Sequence, residues 1–515
     1  MNKIIMNKIL ILSILTLSFL VCSCNEDIID LVPIGDTEAT FYQNEEQMDM
    51  AVFSIYQKNC WFYMHRGSQD NSLQMVTILP SDDATTPQTG KETENFVGLS
   101  GGTGIVNDYY QYTYQLIARA NVVLQKIEEN GEFAYSEKPE RKDWNKGEAL
   151  FLRAYAHFNL WNIYGTAPKV TMRNTNLDEA YLPNSVGTEL LDQAIDDLEE
   201  AAKLLPSSWD SEFKGRVTKN SAHGLRGKAL VFRGLVNNAQ ADFSAAIANF
   251  NAISGLSLTA RYGENFEVTF ENNEESLFEY QANNNLAASN MWLTNDEFSV
   301  IGEIGHYTGY FNQKPDWVGN MFFSATSTIK NAYEDGDPRK SYNINLSATG
   351  NVNIMKYVRV TKEANGLDWG TGLTINNPRI LRYADVLLLK AEAIVRSNGS
   401  LSEAIGLINQ VHERARNSDE SGTPSAVPAD KSATETDRNT VLEWVFQERR
   451  LELAFEEGHR WWDLRRRHIV GEIDLKTLDF GSLDGSFKFD DKNIYFPLPS
   501  REVVDNPNLD QNKGY

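Results

Sequence analysis

NKGEALFLRAYAHFNLWNIYGTAPKV, residues 145–170, is the stretch whose reading decides the fold. A surface helix carries one apolar stripe, but here the apolar residues run along three lines. Leu152, Ala156 and Ile163 form one, Phe151, Tyr155 and Phe158 a second, and Leu150, Ala154, Trp161 and Tyr164 a third. Such a helix is stable only when other elements cover it on several sides. The pattern predicts a scaffold helix in the core. Asn145 with Glu148 reads as a capping box at its start, and Gly165 followed by Pro168 as its stop. Arg153, His157, Asn159 and Asn162 interrupt the apolar surface.

Small and large residues recur around this helix at a helical-repeat spacing. In 187–206, Ala194, Leu198, Ala201 and Pro206 fall where the second helix of a tetratricopeptide unit needs them, with the central helix as the first. Gly234, Ala246 and Phe250 repeat the pattern, and Ala393, Ala404 and Ile408 repeat it again. Small residues let two helices approach, and the large one plugs the gap. Together with helical patterns at 41–60 and 106–129, these spacings predict an all-α scaffold of stacked helix pairs. The units fall roughly at 40–130, 141–206, 218–254 and 378–417, followed by a C-terminal helix at 440–467. Two insertions interrupt them, at 60–104 and 255–377, the second with strand-like runs such as Phe266 to Phe270. Insertions into repeat proteins mark the binding side, so both are expected on a loop-rich ligand face with minor β structure.

Composition narrows the function. The chain has 515 residues and a formal net charge of −23, so it repels nucleic acid, and the run Arg465-Arg466-Arg467 needs a local explanation. Three cysteines, at 22, 24 and 60, are too few for a disulfide framework. Lys3 and Lys8 precede an apolar run from Ile9 to Val21, too short to span a bilayer as a permanent helix. Val21-Cys22-Ser23-Cys24 then resembles a bacterial lipobox. It predicts a signal peptide at 1–23, lipid on Cys24 and a mature domain from 24 to 515.

Signals for chemistry are poor. HExxH and a phosphate-binding glycine loop do not occur, and the seven histidines lack metal-ligand spacing, so no metal and no cofactor is expected. Asp335-Gly-Asp337-Pro-Arg339 lacks the acidic series of a calcium loop and reads as a turn. Carboxylates adjoin at Asp82-Asp83, Glu274-Glu275 and Glu456-Glu457, but a glycosidase needs two carboxyls facing each other across a cleft.

Three further strings complete a recognisable set. They are PRILRYADVLLLKAEAIV (378–395), TVLEWVFQERRLELAFEEGHRWWDLRRR (440–467), which opens on a Thr-x-x-Glu capping box and breaks at Gly458, and YFPLPSREVVDNPNLDQNKGY (495–515). With GEALFLRAYAHFNLWNIYG and the lipobox, in this order, the chain resembles the SusD/RagB family of Bacteroidetes outer-membrane lipoproteins. The resemblance runs end to end and fades in the second insertion. It implies a tetratricopeptide-type helical fold and a nutrient-binding protein, facing the cell exterior, that closes over a SusC-like TonB-dependent transporter. It also implies ligands that are mostly oligosaccharides, with peptides in some members. Glu448, Arg449, Glu452 and Arg460 are expected to form ion pairs that pin the last helix.

A sugar ring offers an apolar C–H face and a rim of hydroxyls, so its site wants flat aromatic platforms with polar partners around them. The insertions supply Trp61, Tyr63, Asp82 and Asp83 in one, and Asn284, Trp292, Tyr310 and Trp317 in the other. Trp61, Trp292 and Trp317 are the expected platforms. The expected function is capture of an oligosaccharide without catalysis. A peptide-binding groove is the first alternative, and a surface glycoside hydrolase the second.

Overall fold

The computed structural model describes residues 37–63, 75–86, 91–282, 324–346, 352–357, 376–481, 487 and 489–515. Among these the architecture is a train of helices. Glu45–Lys58 (α1) and Gly104–Ala134 (α2) make a first pair, and Pro139–Tyr164 (α3) and Glu189–Leu204 (α4) a second. Lys219–Val236 (α5) and Gln240–Ala252 (α6) follow, then Tyr383–Arg396 (α7) and Leu401–Arg416 (α8), and finally Arg438–Glu452 (α9) and His459–Ile469 (α10). Each packs on the helix before it and the helix after it, which is the stacking of a tetratricopeptide-type solenoid. Among the described residues no helix is long and apolar enough to cross a membrane.

The central helix, α3, is buried from Gly147 to Tyr164 without a break. Two of its polar interruptions, Arg153 and Asn162, are answered inside the protein. Arg153 forks onto Asp197 at 2.7 and 2.8 Å and reaches Asn121, while Asn162 accepts from Arg465 at 2.7 Å. Burial pushes His157 down to about 3, so it is neutral. At the C-terminus Gly165 takes φ +69°, and its amide donates to the carbonyls of Leu160 and Trp161 at 3.1 Å. The start differs from expectation. Pro139 opens the helix, where its fixed φ is suited and its missing N–H is no loss. Asn145 and Glu148 are therefore internal. They serve tertiary contacts, Asn145 with Asp49 and Glu148 with Arg216 and Tyr56.

The repeat logic holds at the packing level, with one change. Gly234 lies against Asp242 and Phe243 of α6, but the ring of Phe250 plugs a gap at Gly227, where a Cβ would collide with it. At the chain's far end Asp437 caps α9, accepting from the amides of Asn439 and Thr440, so Thr440 is not the cap. The expected strand-like run Phe266 to Phe270 is instead two turns of 3-10 helix, Tyr262–Phe266 and Val268–Phe270.

Among the described residues strand structure is confined to short antiparallel pairs in and beside the insertions. Ala84–Thr85 (β1) pairs with Ser324–Ala325 (β3), Ser276–Glu279 (β2) with Arg379–Arg382 (β6), and Ile344–Leu346 (β4) with Val352–Ile354 (β5). The first pair joins the two insertions to each other.

Candidate functional site

Three contacts bring the bases of the two insertions together. Tyr63, at the end of the short helix Cys60–Tyr63, stacks on Tyr280 with ring centroids 5.1 Å apart and planes at 21°. The β1–β3 pair places Thr85 opposite Ser324. The amide of Ala282 donates to Asn377 Oδ1 at 2.8 Å. Tyr63, Ala282 and Ser324 directly flank the segments 64–74 and 283–323, and Thr85 and Asn377 lie one residue from the described ends beside 87–90 and 358–375. Asn284, Trp292, Tyr310 and Trp317 lie outside the described residues, as does Cys24, and Trp61 sits in the helix Cys60–Tyr63 with its side chain outside the description.

The other expected site residues are interior. Tyr63 is 2% exposed, and its hydroxyl donates to Glu457 Oε1 at 3.0 Å. Asp82 and Asp83 are each 1% exposed. Arg460 grips Asp82 at 2.7 and 2.9 Å, and Arg450 reaches Asp82 at 3.0 Å and Asp83 at 2.8 Å. Burial raises both carboxyls, but Arg460 and Arg450 outweigh it at Asp82 and hold that group below its ordinary value. Asp83, which also feels the Asp82 charge, stays above its own. The Asp82 carbonyl accepts from the hydroxyls of Thr326 and Thr328, and the Asp83 carbonyl from the Thr326 amide. These three residues therefore fasten the first insertion to the second and to the α9–α10 turn. None of them offers a free surface to ligand.

A buried ionic hub fixes the base of the second insertion. Arg382, at the end of β6, donates to Glu456 at 2.7 and 2.9 Å, to Glu275 at 2.7 Å and to Glu452 at 2.6 Å. Arg414 reaches Glu275 and Glu452, and Lys356 reaches Glu456 at 2.6 Å. Burial pushes Lys356 down to about 8. Glu448 receives Arg339 and His412, while Arg449 bridges Asp385 and Asp463. The expected ion pairs of Glu448, Arg449, Glu452 and Arg460 thus exist. Their partners come from distant elements as well as neighbouring turns, and they weld the insertion to the scaffold.

The arginine run has its local explanation. Arg465 lies against the rings of Trp161 and Tyr495, Arg466 is held by Glu392 and Asp463, and Arg467 by Glu443 and Glu472. Asp337 caps the short helix Pro338–Asn343 after a turn through Gly336. Of the adjoining carboxylates, Glu275 and Glu456 serve cations, Glu457 is half-buried and accepts from the Tyr63 hydroxyl, and Glu274 is exposed. Among the described residues no three His, Cys, Asp or Glu side chains gather as a metal site.

A hollow of about 660 Å³ on the described surface lies elsewhere. It lies between α1, the start of α3 and the turn at 208–213, with Trp144, Trp209 and Phe213 in its lining. The sequence reading passed over these rings because they stand near helix ends, outside both insertions. An aromatic set among serines and acids, SSWDSEF at 207–213, was the available signal.

The fold defines a helical-repeat protein whose two insertions are joined to each other. Comparison with known proteins sharpens that class. The profile described as SusD family matches residues 234–515, and one described as starch-binding associating with outer membrane matches 100–229. The chain belongs to the SusD family. It is 28% identical to SusD-like protein P38 of Formosa agariphila, across 79% of this chain and 80% of the relative. It is 24% identical to a SusD-like protein of Bacteroides ovatus, across 96% and 95%. Among solved structures, a laminarin binding SusD-like protein superposes with a TM-score of 0.72 at 24% identity, covering 92% of this chain and 100% of that one. Surface glycan-binding protein A from Bacteroides thetaiotaomicron in complex with laminarihexaose gives 0.71 at 19%, covering 91% and 99%.

Proposed function

We propose that this protein captures an oligosaccharide on the face built by its two insertions and passes it to a SusC-like TonB-dependent transporter of the outer membrane. Lipid on Cys24 holds it to that membrane, on the cell exterior, and it performs no catalysis. The observation that carries the reading is the convergence of the insertion bases: Tyr63 on Tyr280, β1 on β3, and Ala282 on Asn377. Segments that contain Asn284, Trp292, Tyr310 and Trp317 spring from a base held rigid by buried ion pairs, which is the support a preorganised sugar site needs. The family and the glycan-binding neighbours favour the same class of ligand. Against hydrolysis, the described carboxylates Asp82, Asp83, Glu275 and Glu456 are committed to cations.

Affinity electrophoresis on a polysaccharide panel, followed by calorimetry, tests the reading. Trp61→Ala, Trp292→Ala and Trp317→Ala are expected to weaken binding, with loss of a central aromatic anchor costing about 2 kcal/mol, roughly thirtyfold. Asn284 and Tyr310 variants are expected to lose less, because water can replace a lost hydrogen bond. All three Trp variants binding as the parent does, at unchanged melting temperature, would refute the site. Cys24→Ala is expected to release the protein from the membrane with ligand affinity intact, and labelled palmitate persisting in that variant would refute the anchor.

A further inference from the structure

The hollow beside Trp144 does not stand alone. On the other side of Trp209 a groove of about 440 Å³ is lined by Ser207, Ser211, Lys214, Asn220, Asn272 and Glu279 among others. Ser208 and Trp209 line both spaces. Each volume lies within the range of small-molecule sites, roughly 300–1,000 Å³.

The wall between them is preorganised. The Trp209 indole donates to the Val217 carbonyl at 2.8 Å and meets Trp144 edge-on, with centroids 5.4 Å apart. Arg216 lies 4.3 Å over the Trp209 ring and is itself fixed by Asp49 and Glu148 at 2.6 Å. Arg141, held by Asp49 at 2.9 Å, approaches Trp144, Trp209 and Phe213 at 5.2–5.5 Å. Trp144, Trp209 and Phe213 are nevertheless only half-buried. A ring that is immobilised and partly open to solvent loses little entropy when a ligand covers it.

The polar lining differs on the two sides. The first hollow carries exposed carboxylates at Glu46, Asp210 and Glu212, strong acceptors for hydroxyl donors. The second offers the hydroxyls of Ser207, Ser208 and Ser211 and the Lys214 ammonium, while the Asn220 and Asn272 amides in its lining are bonded to Ser254 and Gln281. A basic peptide matches only the acidic half. An extended, hydroxyl-rich chain with apolar ring faces matches both. One wall of the second groove is β2, whose chain continues through Gln281 to Ala282 at the base of the insertion face.

We propose that the two grooves flanking Trp209 form a second oligosaccharide-binding site, with Trp144 and Trp209 against sugar ring faces and Glu46, Asp210, Glu212 and the serines bonding hydroxyls. The inference rests on the glycan reading above. It gives the protein two points of attachment to one long polymer, and linking two weak sites raises avidity without any new contact at either.

The test is calorimetry on the mature full chain with laminari-, cello-, malto-, manno- and xylohexaose. The parent is expected to bind two molecules of a recognised hexaose. Ser208→Arg, at an exposed position that lines both grooves, is expected to remove one of them or weaken it about tenfold or more, at unchanged melting temperature. Asp210→Asn with Glu212→Gln, also exposed, is the independent variant should Ser208→Arg disturb the fold. Trp292→Ala is expected to remove the other molecule and leave this one. One molecule bound by the parent, or two in both groove variants at parental affinity, overturns the second site while sparing the first. No hexaose bound by the parent overturns both.

Discussion

Replacing Glu457 with glutamine is expected to make the protein more stable, by an amount that grows as pH rises from about 4.5 to about 7 and then stays constant. Glu457 is half-buried in the turn between α9 and α10, at φ +45°, with the Tyr63 hydroxyl donating to it at 3.0 Å. It borders a small cavity lined by Phe151, Phe158, Phe278 and Trp462, across which the Lys228 ammonium is committed to Asp385 at 2.8 Å. Burial therefore dominates, and it raises the Glu457 carboxyl from 4.5 to about 7. In that interval the folded state holds a proton that the unfolded chain has released, so stability falls as pH rises. The stabilisation is complete below the unfolded value and gone above about 7. A difference of about 2.5 pH units at about 1.4 kcal/mol each gives about 3.5 kcal/mol, which the partial exposure of the carboxyl reduces to about 2–3 kcal/mol. Tyr63, Tyr155 and Tyr109 around it are pushed upward by burial, and burial holds His459 neutral, so they do not titrate here. Glutamine mimics the protonated acid and can accept from Tyr63. Urea denaturation of parent and Glu457→Gln should give matching stabilities near pH 4 and a variant about 2–3 kcal/mol more stable near pH 8. A difference between the two proteins that does not change with pH would refute the reasoning.

Other perturbations probe the scaffold. Leu152→Ala removes a fully buried side chain from α3 and should cost about 2–5 kcal/mol in denaturation, whereas curves that overlay the parent's would show the helix to be peripheral. Gly227→Ala drives a methyl into the Phe250 ring and should lower stability by about 1–3 kcal/mol, and a neutral result would mean that α5 and α6 separate freely. Arg460→Ala strips the bidentate partner from buried Asp82 and should cost about 3–5 kcal/mol, read by thermal melting, with no loss expected if Asp82 is solvated.

The scaffold was legible because its signals are local and redundant. An apolar surface on three lines of one helix can only be a core element, and α3 is one. Small-large spacings at Ala194, Ala246 and Ala404 likewise report packing that the structure contains, since all three are fully buried. Helix starts were less legible. Asn145–Glu148 satisfies a capping pattern by spacing alone, and its true partners, Asp49 and Arg216, are remote in sequence.

The site was least legible for the same reason. An aromatic or an acid in an irregular segment looks the same whether it meets ligand or core. Asp82 belongs to the core because Arg460, 378 residues away, folds onto it. Arg382 and Glu456 are likewise 74 residues apart. Trp209 was overlooked because a single ring in a short connection has no period to betray it, and the arginine that stacks on it acquires meaning only in three dimensions.

The measurement that bears most directly on the central claim is recovery of bound sugar. Mature protein is titrated with the hexaose panel, and the ligand is then released and sized. The account predicts that at least one hexaose binds and returns at its original length. Failure of every hexaose to bind, or return of a bound one as shorter products, would contradict it.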